Sequence, residues 1–130
     1  MKTKSLLLAT ALLMSTSALA QKNTFKGVRD LRVYADALGG SVYHFRDKNG
    51  LECDAVVHLR NGKYGLIEVK LGGDKLIEEG ARNLVTLESK IDTDKMKSPS
   101  FKMVLTGVGK YAYQRPQDGV YVVPVGCLRD

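Results

Sequence analysis

The chain has 130 residues, enough for one modest domain. Its formal net charge of +6 is compatible with a nucleic-acid or acidic partner and is evidence for neither. Its two cysteines form neither a Cys-x-x-Cys motif nor a Cys/His set with zinc spacing, so the composition argues against a structural zinc site.

Residues 1–20 have the pattern of a secretory signal peptide. Two lysines precede an apolar run over residues 5–14, and the segment ends in a small-x-small pattern at Ala20. The run is shorter than the ~20 apolar residues that span a bilayer. We therefore expect cleavage before Gln21, export to the periplasm or medium, and no stable membrane span afterwards. An uncleaved helix or a gene-fusion leader is the alternative, and a fusion leader would leave the protein in the cytoplasm.

The remaining chain predicts a short polar segment followed by one α/β domain over residues 28–130. Cleavage removes two lysines and no acidic residue, which leaves 18 basic and 14 acidic residues and a net charge of +4. Residues 21–27 are polar and are expected to be loose. A helix follows at 28–38, where Leu31, Tyr34, Ala35 and Leu38 recur at helical spacing. It is expected to stop at the Gly-Gly pair at 39–40.

Three strands, a second helix and two more strands follow. The helix is expected at 75–91, with Asp74 as its N-cap. Its position between two strands has the length of a parallel crossover, so the pattern predicts an α/β sandwich around a mixed sheet. The strands are expected at 41–46, 52–59, 63–70, 101–106 and 120–123. On the second helix the pattern buries Leu76, Ile77, Gly80, Ala81, Leu84, Leu87 and Ile91, and it exposes Lys75, Glu78, Glu79, Arg82, Asn83, Ser89 and Lys90.

The hairpin of the second and third strands gathers charged side chains. A two-residue loop would place Asp54 and Glu68 on opposite faces. A three-residue loop, 60–62, with a left-handed Gly62 places Asp54 opposite Glu68 and Glu52 opposite Lys70. We prefer this register because it also sorts the apolar residues onto the other face: Cys53, Ala55, Val57, Leu59, Ile67 and Val69. The carboxylates of Glu52, Asp54 and Glu68 would then lie together at one end of the hairpin and repel one another. Lys70 would offset part of this charge, and a divalent metal would offset more.

The pairing of the two cysteines is left open. In an exported protein an even number of cysteines suggests a disulfide. Cys53, however, falls on the apolar strand face, where a free buried thiol is also normal.

Asp54, thirteen intervening residues and then Glu68-Val69-Lys70 resemble the signature of the restriction-endonuclease-like, or PD-(D/E)xK, nuclease superfamily. The order helix–three strands–helix–strand is similar to the core of that superfamily. More closely, residues 45–54 and 119–128 resemble parts of the nuclease-like C-terminal domain of uncharacterised bacterial AAA-type ATPases. The resemblance covers residues 23–130 and implies a restriction-endonuclease-like fold with a mixed central sheet.

The chain also departs from these families. Residues 107–110, Gly-Val-Gly-Lys, lack the spacing of a phosphate loop, and no ATPase module precedes the domain. The first helix often supplies a further glutamate to the nuclease site, and here Asp30 is the nearest acidic residue.

The resemblance implies a Mg²⁺ site in which Asp54 and Glu68 each give an oxygen. The metal would activate a water for phosphodiester hydrolysis, and Lys70 would orient that water or stabilise the transition state. Glu52 is expected to position Lys70, with a role as a second ligand as the alternative. A surface ion-pair ladder is the non-catalytic interpretation of the same charges. The last long loop, residues 107–118, carries basic and aromatic side chains that are candidate contacts to DNA or RNA. A solvated loop without a ligand is the alternative. The candidate residues are Lys110, Tyr111, Tyr113 and Arg115.

Three functions follow from these observations. We favour a catalytically weak or silent interaction module with a protein partner, because the ATPase module and the outer acid are missing. The second is an active Mg²⁺-dependent nuclease acting on DNA or RNA. The third is a small exported structural or binding protein whose ion pairs are incidental.

Overall fold

The computed structural model describes residues 26–128, and the side chains of residues 26–28 and 30 lie outside that description. The predicted leader, 1–20, therefore lies outside the described residues, and the last two residues of the predicted loose segment belong to the first helix. Among the described residues no helix has the length and hydrophobicity needed to cross a membrane. The elements are α1 (Lys26–Ala37), β1 (Ser41–Arg46), β2 (Glu52–His58), β3 (Tyr64–Lys70), α2 (Asp74–Ser89), β4 (Phe101–Thr106), β5 (Tyr113–Gln114), β6 (Tyr121–Pro124) and a 3-10 turn (Val125–Cys127).

One six-stranded mixed sheet organises these elements, which confirms the predicted α/β class. The strand order is β1-β2-β3-β4-β6-β5. β1, β2 and β3 are antiparallel neighbours, whereas β3, β4 and β6 form parallel pairs. The predicted crossover is thus confirmed, since α2 connects the parallel strands β3 and β4. β5 was expected to be loop; it pairs antiparallel with the edge of β6 over two residues.

The β2–β3 hairpin has the predicted register. Ala55 lies opposite Ile67, and the amide of Leu59 donates to the carbonyl of Lys63 over 2.8 Å. Residues 60–62 therefore form the three-residue loop. Gly62 has φ +83°, the left-handed conformation that this loop needs and that glycine adopts without a Cβ penalty.

A β-bulge in β2 corrects the predicted position of Cys53. On β1 the paired residues advance from Tyr43 to Phe45, while on β2 they advance from Val56 to Cys53, so β2 carries one extra residue. The extra residue breaks the strict alternation of side chains. Cys53 consequently packs in the core cluster of Val56, beneath α2, and not in the cluster that contains Ala55. Both cysteines are free thiols, Cys53 buried and Cys127 exposed.

The two helices lie on opposite faces of the sheet. α2 packs across β3 and β4 through an apolar stripe, and α1 packs mainly on β1 and β2. The buried residues of α2 are Ile77, Gly80, Ala81, Leu84 and Leu87, all of which were predicted to be buried. Ile91, also predicted to be buried in this helix, lies beyond its end at Ser89 and is only partly buried. The interior is thus divided by the sheet into a larger core under α2 and a smaller one under α1.

The ends of the helices differ from the prediction. Gly73, and not Asp74, is the N-cap of α2, so Asp74 stands in the first turn, where its charge favours the helix dipole. Leu76 is 37% exposed because in this first turn it lies over Gly72. Leu38 is 72% exposed because α1 ends at Ala37, before the residue can complete the buried stripe.

Candidate functional site

The structure brings together three of the predicted site residues, Asp54, Glu68 and Lys70, which we call the hairpin cluster. Asp54 Oδ2 accepts a hydrogen bond of 2.9 Å from the amide of Val69. The carboxylate of Glu68 accepts from the backbone amide of Asp54, and Lys70 Nζ lies 3.7 Å from Glu68 Oε2. The cluster is therefore built by direct contacts between β2 and β3.

Glu68 is the most deeply buried charged group of the cluster. The residue is only 3% exposed. Burial and the nearby carboxylate of Asp54 raise the pKa of Glu68 from 4.5 to about 7, against the opposing effects of Lys70, Asn83 and the Asp54 amide. Near neutral pH, Glu68 is thus divided between its charged and neutral forms.

Lys70 runs between the sheet and α2. Its Nζ lies 3.1 Å from Glu79 Oε1 on that helix. A Cβ at Gly80 would stand 3.1 Å from Lys70 Cγ, so the glycine gives the lysine stem room beneath the helix. Burial acts to lower the pKa of Lys70, but the carboxylates of Glu79 and Glu68 outweigh it and the pKa is raised.

Asn83 of α2 completes the cluster, although the sequence pattern placed it among the exposed residues. Its Nδ2 donates to Glu68 Oε1 over 2.9 Å and to the backbone carbonyl of Glu52 over 2.8 Å. One amide therefore joins α2 to both strands of the hairpin. A signal was present: Asn83 lies three residues after Gly80, at the edge of the buried stripe, and asparagine is a poor residue for a helix interior.

Glu52 does not hold the position expected for it beside Lys70. Its carboxylate lies 3.7 Å from Arg46 Nε on β1. The Lys70 ammonium is held by Glu79 and Glu68, so the predicted positioning role falls to Glu79. The reason is tertiary: α2 crosses above Lys70 and brings Glu79 to it.

The cluster offers few ligands for a metal. Within residues 26–128 no group of three or more His, Cys, Asp or Glu side chains could hold a metal ion. Asp54 and Glu68 are two carboxylates, a number that can suffice for Mg²⁺ when phosphate and water complete its shell. One oxygen of each already accepts a hydrogen bond from the protein. The side chain of Asp30, the nearest acid of the first helix, lies outside the described residues.

The four candidate nucleic-acid contacts separate into two groups. Lys110, Tyr111 and Tyr113 are exposed around the end of β4 and the start of β5. Arg115 is buried, with its Nη2 2.7 Å from Glu78 Oε2 and 3.0 Å from Asp118 Oδ2. Its guanidinium joins α2 to the β5–β6 turn, a structural role that the sequence pattern did not distinguish.

An apolar groove lies on the sheet face opposite α2, and we call it the α1 groove. It has a volume of about 280 Å³. Leu31 of α1 and Leu38, just after that helix, form one side; Phe101 and Met103 of β4 form the other, and Ile67 of β3 lies between them. The local sequence pattern does not indicate this groove, because it arises where α1 leaves part of the sheet face beside it open.

Comparison with known protein families identifies a match that covers most of the chain. A protein-family model described as a domain of unknown function (DUF4143) matches residues 28–128. Neither a curated protein nor a solved structure matches the chain. The matched range contains both the hairpin cluster and the α1 groove.

Proposed function

Since the chain belongs to the DUF4143 family of domains of unknown function, we propose from its geometry that it is a catalytically weak or silent interaction module. In this proposal the hairpin cluster retains the arrangement of a nuclease-like site, but its hydrogen bonds and ion pairs serve to hold β2, β3 and α2 together. The module binds a protein partner and does not act on a substrate. We infer that the module derives from the C-terminal domain of an AAA-type ATPase, and the sequence resemblance to that domain supports this origin.

The observation that carries the proposal is that the cluster's polar groups bind one another. Asn83 donates to Glu68, Val69 donates to Asp54, and Lys70 lies between Glu68 and Glu79. These contacts join β2, β3 and α2. A buried polar network whose members are all paired is typical of an element that specifies packing.

The protonation state of Glu68 also favours a structural role for the cluster over metal binding. A Mg²⁺ ligand must be ionised, but burial and Asp54 hold the pKa of Glu68 at about 7. At neutral pH, metal binding would therefore have to displace a proton from a substantial share of the molecules. Lys70 is in addition already neutralised by its contacts with Glu68 and Glu79, so its charge is less available to a phosphate.

A cleavage assay tests the proposal. The full chain is incubated with Mg²⁺ or Mn²⁺ and a panel of single- and double-stranded DNA and RNA. We expect wild type and Lys70→Ala to show the same background. Lys63→Ala, which changes an exposed lysine on the same hairpin, is the matched control. Cleavage that Lys70→Ala abolishes and Lys63→Ala retains would reject the silent module.

A metal-dependent nuclease is the second candidate, and one observation favours it. Asp54 is among the causes that raise the pKa of Glu68, and a divalent cation between two such carboxylates would relieve their repulsion. In this case the exposed Lys110, Tyr111 and Tyr113 would contact the nucleic acid.

Metal binding can be measured separately from cleavage. In the nuclease case, Mg²⁺ should raise the melting temperature of wild type above pH 7, because a ligand that binds only the folded state stabilises it. Asp54→Asn should abolish the increase. An unchanged melting temperature at millimolar Mg²⁺ speaks against this second candidate.

A further inference from the structure

Within the part of the chain that the structure describes, the parallel half of the sheet has a helix on one face only. Parallel strands normally have helices on both faces. α2 covers β3 and β4 on one face, and α1 packs mainly on β1 and β2 on the other. Within residues 26–128, no further helix lies beside α1, and apolar side chains there remain partly exposed: Val69, Phe101, Met103 and Val123.

The α1 groove lies on this face of the sheet. The aromatic ring of Phe101 lies across Gly65, where a Cβ would come within 2.1 Å of Phe101 Cζ, so one wall is held close to the sheet. Leu38, 72% exposed, extends the apolar surface past the end of α1. A helix packed beside α1 at the usual axis separation of about 8–10 Å would lie over this surface.

The charged side chains that the structure describes at the groove are basic. Among the described residues that line it, Lys63 is the only charged one, and none is a carboxylate. Arg60 lies at the same end, because its Nε is 3.4 Å from the place that a Cβ on Gly39 would take, next to the lining residue Leu38. As far as its described lining goes, the groove is therefore apolar along its length and cationic at one end.

We propose that the α1 groove binds an amphipathic helix of a partner protein. The apolar face of that helix lies between α1 and β4, and acidic residues at one end meet Lys63 and Arg60. Recognition of this kind buries a stripe of apolar side chains in a groove, while the charge pair sets the direction of the helix. The proposal names the partner class of the interaction module and rests on that proposed function.

Two labelled peptides test the charge complementarity with the full chain. The first is a helix of about 16 residues with leucine on one face and glutamate elsewhere; the second carries lysine in place of every glutamate. Fluorescence anisotropy should give micromolar binding for the glutamate peptide and at least roughly tenfold weaker binding for the lysine peptide. Equal binding of both, or of neither, would overturn the proposal.

Matched variants locate the binding surface. Met103→Glu places a negative charge in the groove and should weaken the glutamate peptide roughly tenfold or more. Val85→Glu changes an apolar residue of α2 that is 38% exposed, outside the groove, and should bind as wild type. Leu38→Glu, at a 72% exposed position, should weaken binding without affecting folding, and this keeps the test decisive if the Met103 variant does not fold. Unchanged binding in Leu38→Glu and in a folded Met103→Glu would refute the assignment.

Two further outcomes identify other occupants and also overturn the proposal. If sedimentation shows that wild type is a dimer that Met103→Glu dissociates, a second copy occupies the groove. If a peptide of residues 5–20 displaces the glutamate peptide and binds more tightly, the groove accepts this chain's own sequence. The proposed function fails differently, through Lys70-dependent cleavage, so the two failures can be told apart.

Discussion

Replacing Glu68 with glutamine is expected to stabilise the protein above pH 7. The folded state binds a proton at Glu68 more tightly than the unfolded chain, because burial and Asp54 raise the pKa of Glu68 from 4.5 to about 7. Stability therefore falls as the pH rises between these two values and stays at the lower level above them. Glutamine cannot ionise, so it should remove this dependence while its Oε1 still accepts the hydrogen bond of Asn83.

The magnitude follows from linkage. At about 1.4 kcal/mol per pKa unit, the ionisation of Glu68 in the fold costs on the order of 3 kcal/mol. The glutamine side chain gives up the attraction of the carboxylate for Lys70. We therefore expect a net gain of about 1–3 kcal/mol at about pH 8, and a melting temperature higher by roughly 5–15 °C for a domain of this size.

Urea unfolding followed by far-UV circular dichroism, between about pH 5 and pH 8, measures the effect. The difference between wild type and Glu68→Gln isolates Glu68 from the other titrating groups. Glu79→Gln is the matched control: its side chain is 61% exposed, so its pairing with Lys70 should be worth less than about 1 kcal/mol, and the pH dependence should stay that of wild type.

Two results would refute the reasoning about Glu68. One is a difference between wild type and Glu68→Gln that does not change with pH. The other is a glutamine variant that is less stable than wild type at about pH 8. Either would mean that the ionised carboxylate is stabilised by its surroundings, and the cluster would then be better prepared for a cation than we infer.

Three further predictions concern the fold around the cluster. Asn83→Ala should lower the free energy of unfolding by about 1–3 kcal/mol, since it leaves two buried acceptors without their donor; an unchanged urea midpoint would contradict this. Gly65→Ala should be strongly destabilising, because the new Cβ meets the ring of Phe101, and the second change Phe101→Leu should restore part of the loss; a stable Gly65→Ala would contradict the close packing. A thiol reagent should label Cys127 in the native protein and Cys53 only in urea, because Cys53 is buried and burial raises its pKa; fast native labelling of both would refute that placement.

The hairpin was predictable from the sequence because its determinants are local. Period-two alternation and the turn residues Arg60-Asn61-Gly62 specify one register. The structure has that register, with Ala55 opposite Ile67 and a left-handed Gly62. The convergence of Asp54 and Glu68 follows directly, since neighbouring residues in a register share a face.

What covers the hairpin was not predictable in the same way. Asn83 looks like an exposed helix residue until α2 is packed on the sheet. The same packing brings Glu79, which stays exposed as predicted, to Lys70. Arg115 likewise looks like a loop cation, yet it is buried between Glu78 and Asp118. Each of these contacts joins residues that are distant in sequence or separated by a turn, so no local pattern records it.

The sequence by itself therefore determined five of the six described strands, the crossover helix and the convergence of Asp54 and Glu68, because alternation, helical periodicity and turn chemistry act over a few residues. Only the tertiary structure decided which groups surround these two carboxylates. The bulge at Cys53, the amide of Asn83 and the open groove beside α1 result from how the helices pack on the sheet. Burial and partner geometry set the pKa of Glu68, and these depend on the whole fold.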